Sequence, residues 1–217
     1  MRINKYLAHQ KITTRKNADI LVARGDVFIN GKRAVLGSKV SENDKVEVKG
    51  KKKTDKFLYY AYYKPIGIET PEILVNDVFP IGRLDKNSHG LIILTNDGRI
   101  TDRLLNPKYF HEKEYIVKTS KKLRANFKQK MEAGVQIEDY KTKPCKVEIL
   151  NENTFKVILT EGKKHQIRRM CSALFQEVID LKRIRILNIK LGNAKPKNIR
   201  EIRDKELEIF LKNLGIN

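Results

Sequence analysis

Phe79-Pro80-Ile81-Gly82-Arg83-Leu84-Asp85 runs out of an apolar segment through a glycine to an arginine and a carboxylate, and Gly90 then leads into the fully apolar Leu91-Ile92-Ile93-Leu94. A carboxylate in a loop between buried strands is expensive without a partner. Held charged in a dry pocket, it is a nucleophile or a base. Arg168 lies in Glu161-Gly162-Lys163-Lys164-His165-Gln166-Ile167-Arg168-Arg169-Met170, and its planar fork suits bidentate engagement of Asp85. Arg168 and Arg169 equally suit phosphate contact at a helix start, and an Asp beside glycines equally suits a turn or cap. Tyr115 continues the alternation of Glu112 and Glu114 on a strand, which turns its ring toward either a cleft or the core. Glu161 paired with Asp85 would instead supply the two carboxylates of a glycosidase-like hydrolase.

The chain has 217 residues and 40% hydrophobic content, enough for one ordinary domain or two small ones around a real core. Its 46 Lys and Arg against 26 Asp and Glu leave a net charge of +20, which points to a polyanionic partner and first to nucleic acid. Cys145 and Cys171 fit no CxxC spacing, and four scattered histidines add no ligand cluster. With no Walker loop and no GxGxxG after a strand, neither a metal nor a cofactor is expected. Apolar runs such as Leu91 to Leu94 are too short to span a bilayer, and Met1 to Gln10 lacks a signal-peptide core, so no membrane association and a cytoplasmic location are expected.

Two kinds of element must position these side chains. Residues 1–56 carry 15 basic and 6 acidic side chains, net +9, and form a small basic module in front. Ile3, Leu7 and Ala8, then Ala18, Leu21 and Val22, recur at helical spacing, with Thr13 or Thr14 as the second helix's cap and Gly25 as its end. Val27 to Ile29 reads as a strand, Asn30-Gly31 as a hairpin turn and Lys45 to Val48 as a further strand. Arg15, Lys16, Lys32 and Arg33 fall on the exposed side, where they can follow a phosphate backbone or simply keep the protein soluble. Residues 49–57 read as a charged linker, and 58–217 as a mostly antiparallel mixed α/β domain, including a strand from Phe155 and a helix from Gln166. The fold class expected is therefore α+β, a small αβ module followed by a larger catalytic domain.

Helix, helix, then Arg-Gly-Asp-Val-Phe-Ile-Asn-Gly-Lys-Arg-Ala over residues 24–34 resembles the RNA-binding module named after ribosomal protein S-four, covering about residues 1–48. The longer string Gly82-Arg83-Leu84-Asp85-Lys86-Asn87-Ser88-His89-Gly90-Leu91, with Leu94-Thr95-Asn96-Asp97-Gly98, resembles the signature of the RsuA-type pseudouridine synthases. Tyr63-Lys64-Pro65-Ile66-Gly67 is similar to that family's first motif, the Glu161 to Met170 string to its third, and His111 to Val117 to the strand that supplies a tyrosine. Ala133-Gly134-Val135 followed by Lys143-Pro144-Cys145-Lys146-Val147 is most similar to the RluF branch, which acts on large-subunit ribosomal RNA. The chain departs from the pattern at Tyr63, where Asn is usual, and in a short stretch from Ile68 to Val78.

The resemblance implies an isomerase that converts uridine to pseudouridine in ribosomal RNA, first of the large subunit, with small-subunit ribosomal RNA or transfer RNA as alternative substrates. Asp85 would be the essential carboxylate, Tyr115 the ring covering a flipped uracil, Arg168 the cation paired with Asp85, and Arg83 the side chain entering the vacated stack. Lys163, Lys164 and Arg169 join the RNA contacts, His165 orients its loop, and the protein is expected as a monomer acting on ribosomal RNA or an assembly intermediate. The carboxylate serves attack on C1′, attack on C6 or removal of a ribose proton equally. A non-catalytic ribosome-associated factor is the rival class; its mark would be loss of Asp85, Tyr115 or Arg168, and all three are present.

Overall fold

The structure, a computed structural model, describes residues 1–10, 12–50, 56–70, 78–138 and 140–216. Two compact units emerge: of the described residues, the first holds those up to Tyr59 with 78–79 and 94–99, the second holds 60–70, 80–93 and those from Ile100 onward. Residues 51–55 of the expected linker and 71–77 of the stretch from Ile68 to Val78 lie outside the described residues.

In the first unit, helices α1 (Ile3–His9) and α2 (Arg15–Arg24) precede strands β1 (Val27–Ile29), β2 (Lys32–Arg33) and β3 (Val46–Val48), with β1 central in the antiparallel sheet. The Thr14 hydroxyl caps α2 by accepting from the Asn17 amide at 3.3 Å, and Gly25 ends it in the left-handed region at φ 75. Asn30 and Gly31 both take positive φ, as a two-residue hairpin with the sheet's twist requires. Ile3, Leu7, Ala18, Val22, Val27, Ala34 and Val40 close one small core. Arg15, Lys16, Lys32 and Arg33 are all exposed. Also in this unit, buried Asp97 accepts from the Tyr59 hydroxyl at 2.6 Å and from the Arg99 guanidinium at 2.9 Å, so the Asn-Asp-Gly string anchors structure.

The larger part of the chain runs through β4 (Tyr59–Lys64), β5 (Phe79–Ile81), β6 (His89–Thr95), α3 (Ile100–Leu105), β7 (Lys113–Thr119), α4 (Phe127–Glu132), β8 (Gln136–Ile137) and β9 (Tyr140–Lys141). It continues with β10 (Lys146–Asn151), β11 (Thr154–Leu159), α5 (Gln166–Ala173), β12 (Val178–Ile186), β13 (Ile189–Lys190), β14 (Ile199–Glu201) and α6 (Asp204–Asn213). The main described sheet has the order β10-β11-β7-β12-β6-β4-β14, with β5 beside β6 and β13 beside β12. The β10–β11, β11–β7, β7–β12, β12–β13 and β4–β14 pairs are antiparallel and β6–β12 is parallel, a mixed, mostly antiparallel sheet as expected.

Period-two patterning buries one face of these strands: Lys113, Tyr115, Val117 and Thr119 on β7, and Phe155, Val157 and Leu159 on β11. Helix α4 covers that face with Phe127 edge-on to Phe155, ring centroids 4.9 Å apart. Helix α5 buries Gln166, Ile167, Met170 and Cys171, one side of a two-turn helix whose start stands at the cleft.

Candidate active site

The loop that carries Asp85 is fastened residue by residue. The Thr70 hydroxyl donates to the Leu84 carbonyl at 2.8 Å and accepts from the Leu84 amide at 3.0 Å, and the Gly67 amide donates to the Lys86 carbonyl at 2.9 Å. The buried Lys64 ammonium donates to the carbonyls of Pro65 at 2.9 Å and Ser88 at 2.7 Å, and the Ser88 amide closes back on the Asp85 carbonyl at 3.0 Å. Lys64-Pro65-Ile66-Gly67 thus underlies the Asp85 loop, which accounts for the first motif physically: a buried ammonium replaces its hydration with loop carbonyls.

Arg168 corrects the sequence reading. Its guanidinium donates to the carbonyls of Val178 at 3.0 Å and Asn87 at 2.8 Å, with Ser88 Oγ at 3.4 Å, and makes no ion pair with Asp85. The fork ties β12 to the end of the Asp85 loop, because two backbone carbonyls fit its two-pronged geometry as well as a carboxylate does. The side chain that approaches Asp85 is His165, whose Nε2 stands 3.3 Å from Oδ1. Both side chains are partly open, 40% for Asp85 and 48% for His165.

Asp85 lines a cleft of about 830 Å³ that residues of β7 and β12 also line. Tyr115 and Arg183 face one another in register across these strands, with the guanidinium 6.0 Å from the ring centroid. Arg183 is 2% exposed and donates from Nε to the Leu91 carbonyl at 2.7 Å and from a terminal nitrogen to the Gly82 carbonyl. Gly90 makes this packing possible: a Cβ there would stand 2.2 Å from the Arg183 carbonyl oxygen. Beside Arg183, Lys113 is 7% exposed; its Nζ donates to the His111 carbonyl at 3.4 Å. Burial, reinforced by the Arg183 charge, pushes the Lys113 ammonium down to about 8.

Glu161 also lines the cleft, but its oxygens are engaged by the Tyr140 hydroxyl, the Lys143 amide at 3.0 Å and Gln166 Nε2 at 2.7 Å. The bond to Glu161 holds the Tyr140 hydroxyl up at about 12. Glu161 therefore pins α5 and the β9 segment to each other, which removes the support for the two-carboxylate hydrolase.

Arg83, Lys163 and Lys164 are exposed along the cleft's rim, with Lys163 Nζ also 4.7 Å from the Tyr140 ring centroid. Arg169 is paired with Glu138 at 2.7 Å and is not part of the cleft lining. Arg15, Lys16, Lys32 and Arg33 belong to the first unit. The sequence reading assigned no role to Lys64, Lys113 or Arg183. A signal existed for two of them: Lys113 shares the inward phase of Tyr115 and Val117, and Arg183 that of Leu181, charged residues at positions where apolar ones are the rule.

Residues 12–173 match the family model described as RNA pseudouridylate synthase. The dual-specificity RNA pseudouridine synthase RluF of Salmonella typhi is 40% identical, over 95% of this chain and 77% of the relative. The ribosomal large subunit pseudouridine synthase B of Bacillus subtilis is 32% identical, over 95% of this chain and 94% of the relative. A crystal structure of a pseudouridylate synthase superposes with a TM-score of 0.70 at 26% identity, covering 96% of this chain and 98% of its own.

Proposed function

The chain belongs to the RNA pseudouridine synthase family, of the RsuA and RluF type, and from that premise we propose that it isomerises a uridine of large-subunit ribosomal RNA, with Asp85 as the essential carboxylate. The reaction breaks the bond from ribose C1′ to uracil N1, turns the base and joins C5 to C1′; C5 releases its proton to solvent and the freed N1 takes one up. Substrate and product have the same composition.

One observation supports this reading: Asp85, on its fastened loop, lines the same cleft as Tyr115, Arg183 and Lys113. The cleft accommodates one extruded nucleotide. Tyr115 offers a ring face to uracil, and the buried cations of the cleft offset the charge that builds on the base as N1 leaves C1′. Arg83, exposed along the cleft, takes the role of filling the gap in the stack in this proposal. Lys163 and Lys164 take phosphates beside the cleft, and residues 1–48, with Arg15, Lys16, Lys32 and Arg33 exposed, form the separate docking module.

Tritium release from RNA carrying [5-³H]uridine tests the proposal. Large-subunit ribosomal RNA should release tritium with the wild-type protein and none with Asp85→Asn, while RNA binding persists and no free uracil appears. Release from small-subunit or transfer RNA instead would reassign the substrate, and full activity of Asp85→Asn would remove the proposed carboxylate.

A further inference from the structure

Between Leu105 and Lys113, both of which line the cleft, the chain turns outward and becomes aromatic. Pro107–Tyr109 forms a 3-10 turn closed by Phe110, which adopts φ 54 with its residue 60% exposed. A bulky side chain in the left-handed region is disfavoured, and glycine would close the same turn through the same amide-to-Pro107 carbonyl bond. The ring is thus needed neither for the turn nor for the core. Strained residues of this kind concentrate where a side chain has work at the surface.

The surroundings specify that work. Lys143 Nζ stands 4.1 Å from the Phe110 ring centroid. The adjoining Tyr109 ring has Lys108 Nζ at 4.8 Å and the Arg103 guanidinium at 5.4 Å, and is stacked on His111 at 5.8 Å with the rings 16° apart. Among the described residues, no carboxylate forms an ion pair with Arg103, Lys108 or Lys143. Lys143 is also tied to the cleft, since its amide donates to Glu161. Aromatic faces interleaved with cations that lack acidic partners match a single nucleic-acid strand, whose bases stack on any π-face and whose phosphates take the cations.

We propose that Phe110, with Tyr109 and Lys143 beside it, is a stacking platform for an unpaired nucleobase flanking the target uridine, with Arg103 and Lys108 holding the adjoining phosphates. The proposal rests on the reading that the cleft takes a uridine within an RNA strand. Extruding one nucleotide costs its stacking, and a second base held outside the cleft keeps the strand from closing behind it.

The probes are a fluorescein-labelled 12-nucleotide oligouridylate and an abasic ribose-phosphate chain of the same length and charge, bound to wild type, Phe110→Ala and Phe110→Trp at one salt concentration. Phe110→Ala should weaken oligouridylate binding roughly 5- to 50-fold, leave the abasic chain unchanged, and be rescued by Phe110→Trp. Equal binding of oligouridylate by wild type and Phe110→Ala overturns the platform, as does an equal loss on both probes. Tritium release from ribosomal RNA by the same preparations separates the two readings: active wild type with no Phe110→Ala defect in binding or KM removes only the platform, whereas wild type that binds RNA and releases no tritium removes the function beneath it.

Discussion

Nε2 of His165 stands 3.3 Å from Oδ1 of Asp85, and His165 reaches that position from a left-handed backbone, φ 52, at the N-cap of α5. Strain of this sort is retained where a side chain must be aimed. Both groups remain partly in solvent, which limits the pair to about 1 kcal/mol, or about fivefold in rate. His165→Ala should therefore lower the single-turnover rate at saturating RNA by about fivefold and leave KM unchanged, whereas Asp85→Asn should abolish turnover. His165→Asn, which tolerates the same backbone and retains a donor, should recover part of the loss. A His165→Ala defect confined to KM would place His165 on the RNA instead.

Gly90 and Gly98 occur in the two strings of one motif and face opposite fates. At Gly90, φ 108, a Cβ would lie 2.2 Å from the Arg183 carbonyl oxygen and 2.8 Å from its amide nitrogen, atoms of a central strand that cannot retreat. At Gly98 nothing lies within 4 Å. Gly90→Ala should cost more than about 4 kcal/mol or prevent folding, and Gly98→Ala less than about 1 kcal/mol. Urea denaturation with soluble yield measures both, and comparable stabilities would refute the close-approach argument.

Arg168 is predicted to act through the loop. Lysine satisfies one of the two carbonyls that the guanidinium bridges, so Arg168→Lys should destabilise by about 1 to 2 kcal/mol and lower the single-turnover rate even at low salt. Its dependence of RNA affinity on salt should match wild type. A reduced log-log salt slope with normal rate would instead show a phosphate contact.

What the sequence makes legible divides along locality. The first unit's helices, cap, hairpin and core depend on neighbours within a few residues, and Thr14, Gly25 and Asn30-Gly31 announce them. Asp85 and Tyr115 sit in contiguous strings, so their strands and loop were readable, and both prove to line one cleft. The pairing of β7 with β12 was not readable because it exists only through register: Tyr115 meets Arg183 across 68 positions of chain. Arg168 was misplaced for a related reason. A guanidinium that fits a carboxylate fits a pair of carbonyls equally well, and only the approach of β12 to the Asp85 loop decides between them.

The exposed cations of the first unit should register in salt dependence. Replacing Arg15, Lys16, Lys32 and Arg33 together by alanine should flatten the log-log plot of RNA affinity against salt by about 0.7 to 0.9 for each phosphate that the protein ceases to neutralise. Single-turnover rate at saturating RNA should be unchanged, because none of the four lines the cleft. An unaltered slope would assign RNA docking to the larger unit alone.

Lys113 connects stability, pH and activity. Its ammonium is buried beside the Arg183 charge and lowered from 10.5 to about 8, so the unfolded chain holds this proton more tightly than the folded one. Below pH 8 both states are protonated and the native state bears the full cost of the buried charge. Between pH 8 and about 10.5 the unfolded state binds the extra proton, so this group's contribution to stability rises with pH, and the cost is gone above that window. Lys113→Met, which keeps the length and removes the charge, should therefore stabilise the protein at pH 7 by as much as about 3 kcal/mol, with the gain vanishing above about pH 10.5. A charge retained at that cost, in the cleft that Asp85 also lines, is expected to be used on the RNA. Wild-type kcat/KM should then fall by one proton as pH rises through about 8, Lys113→Arg should remove that fall, and Lys113→Met should lose activity while gaining stability. Full activity of the more stable Lys113→Met variant, with a wild-type profile flat to pH 9.5, would show that the buried ammonium takes no part in the reaction.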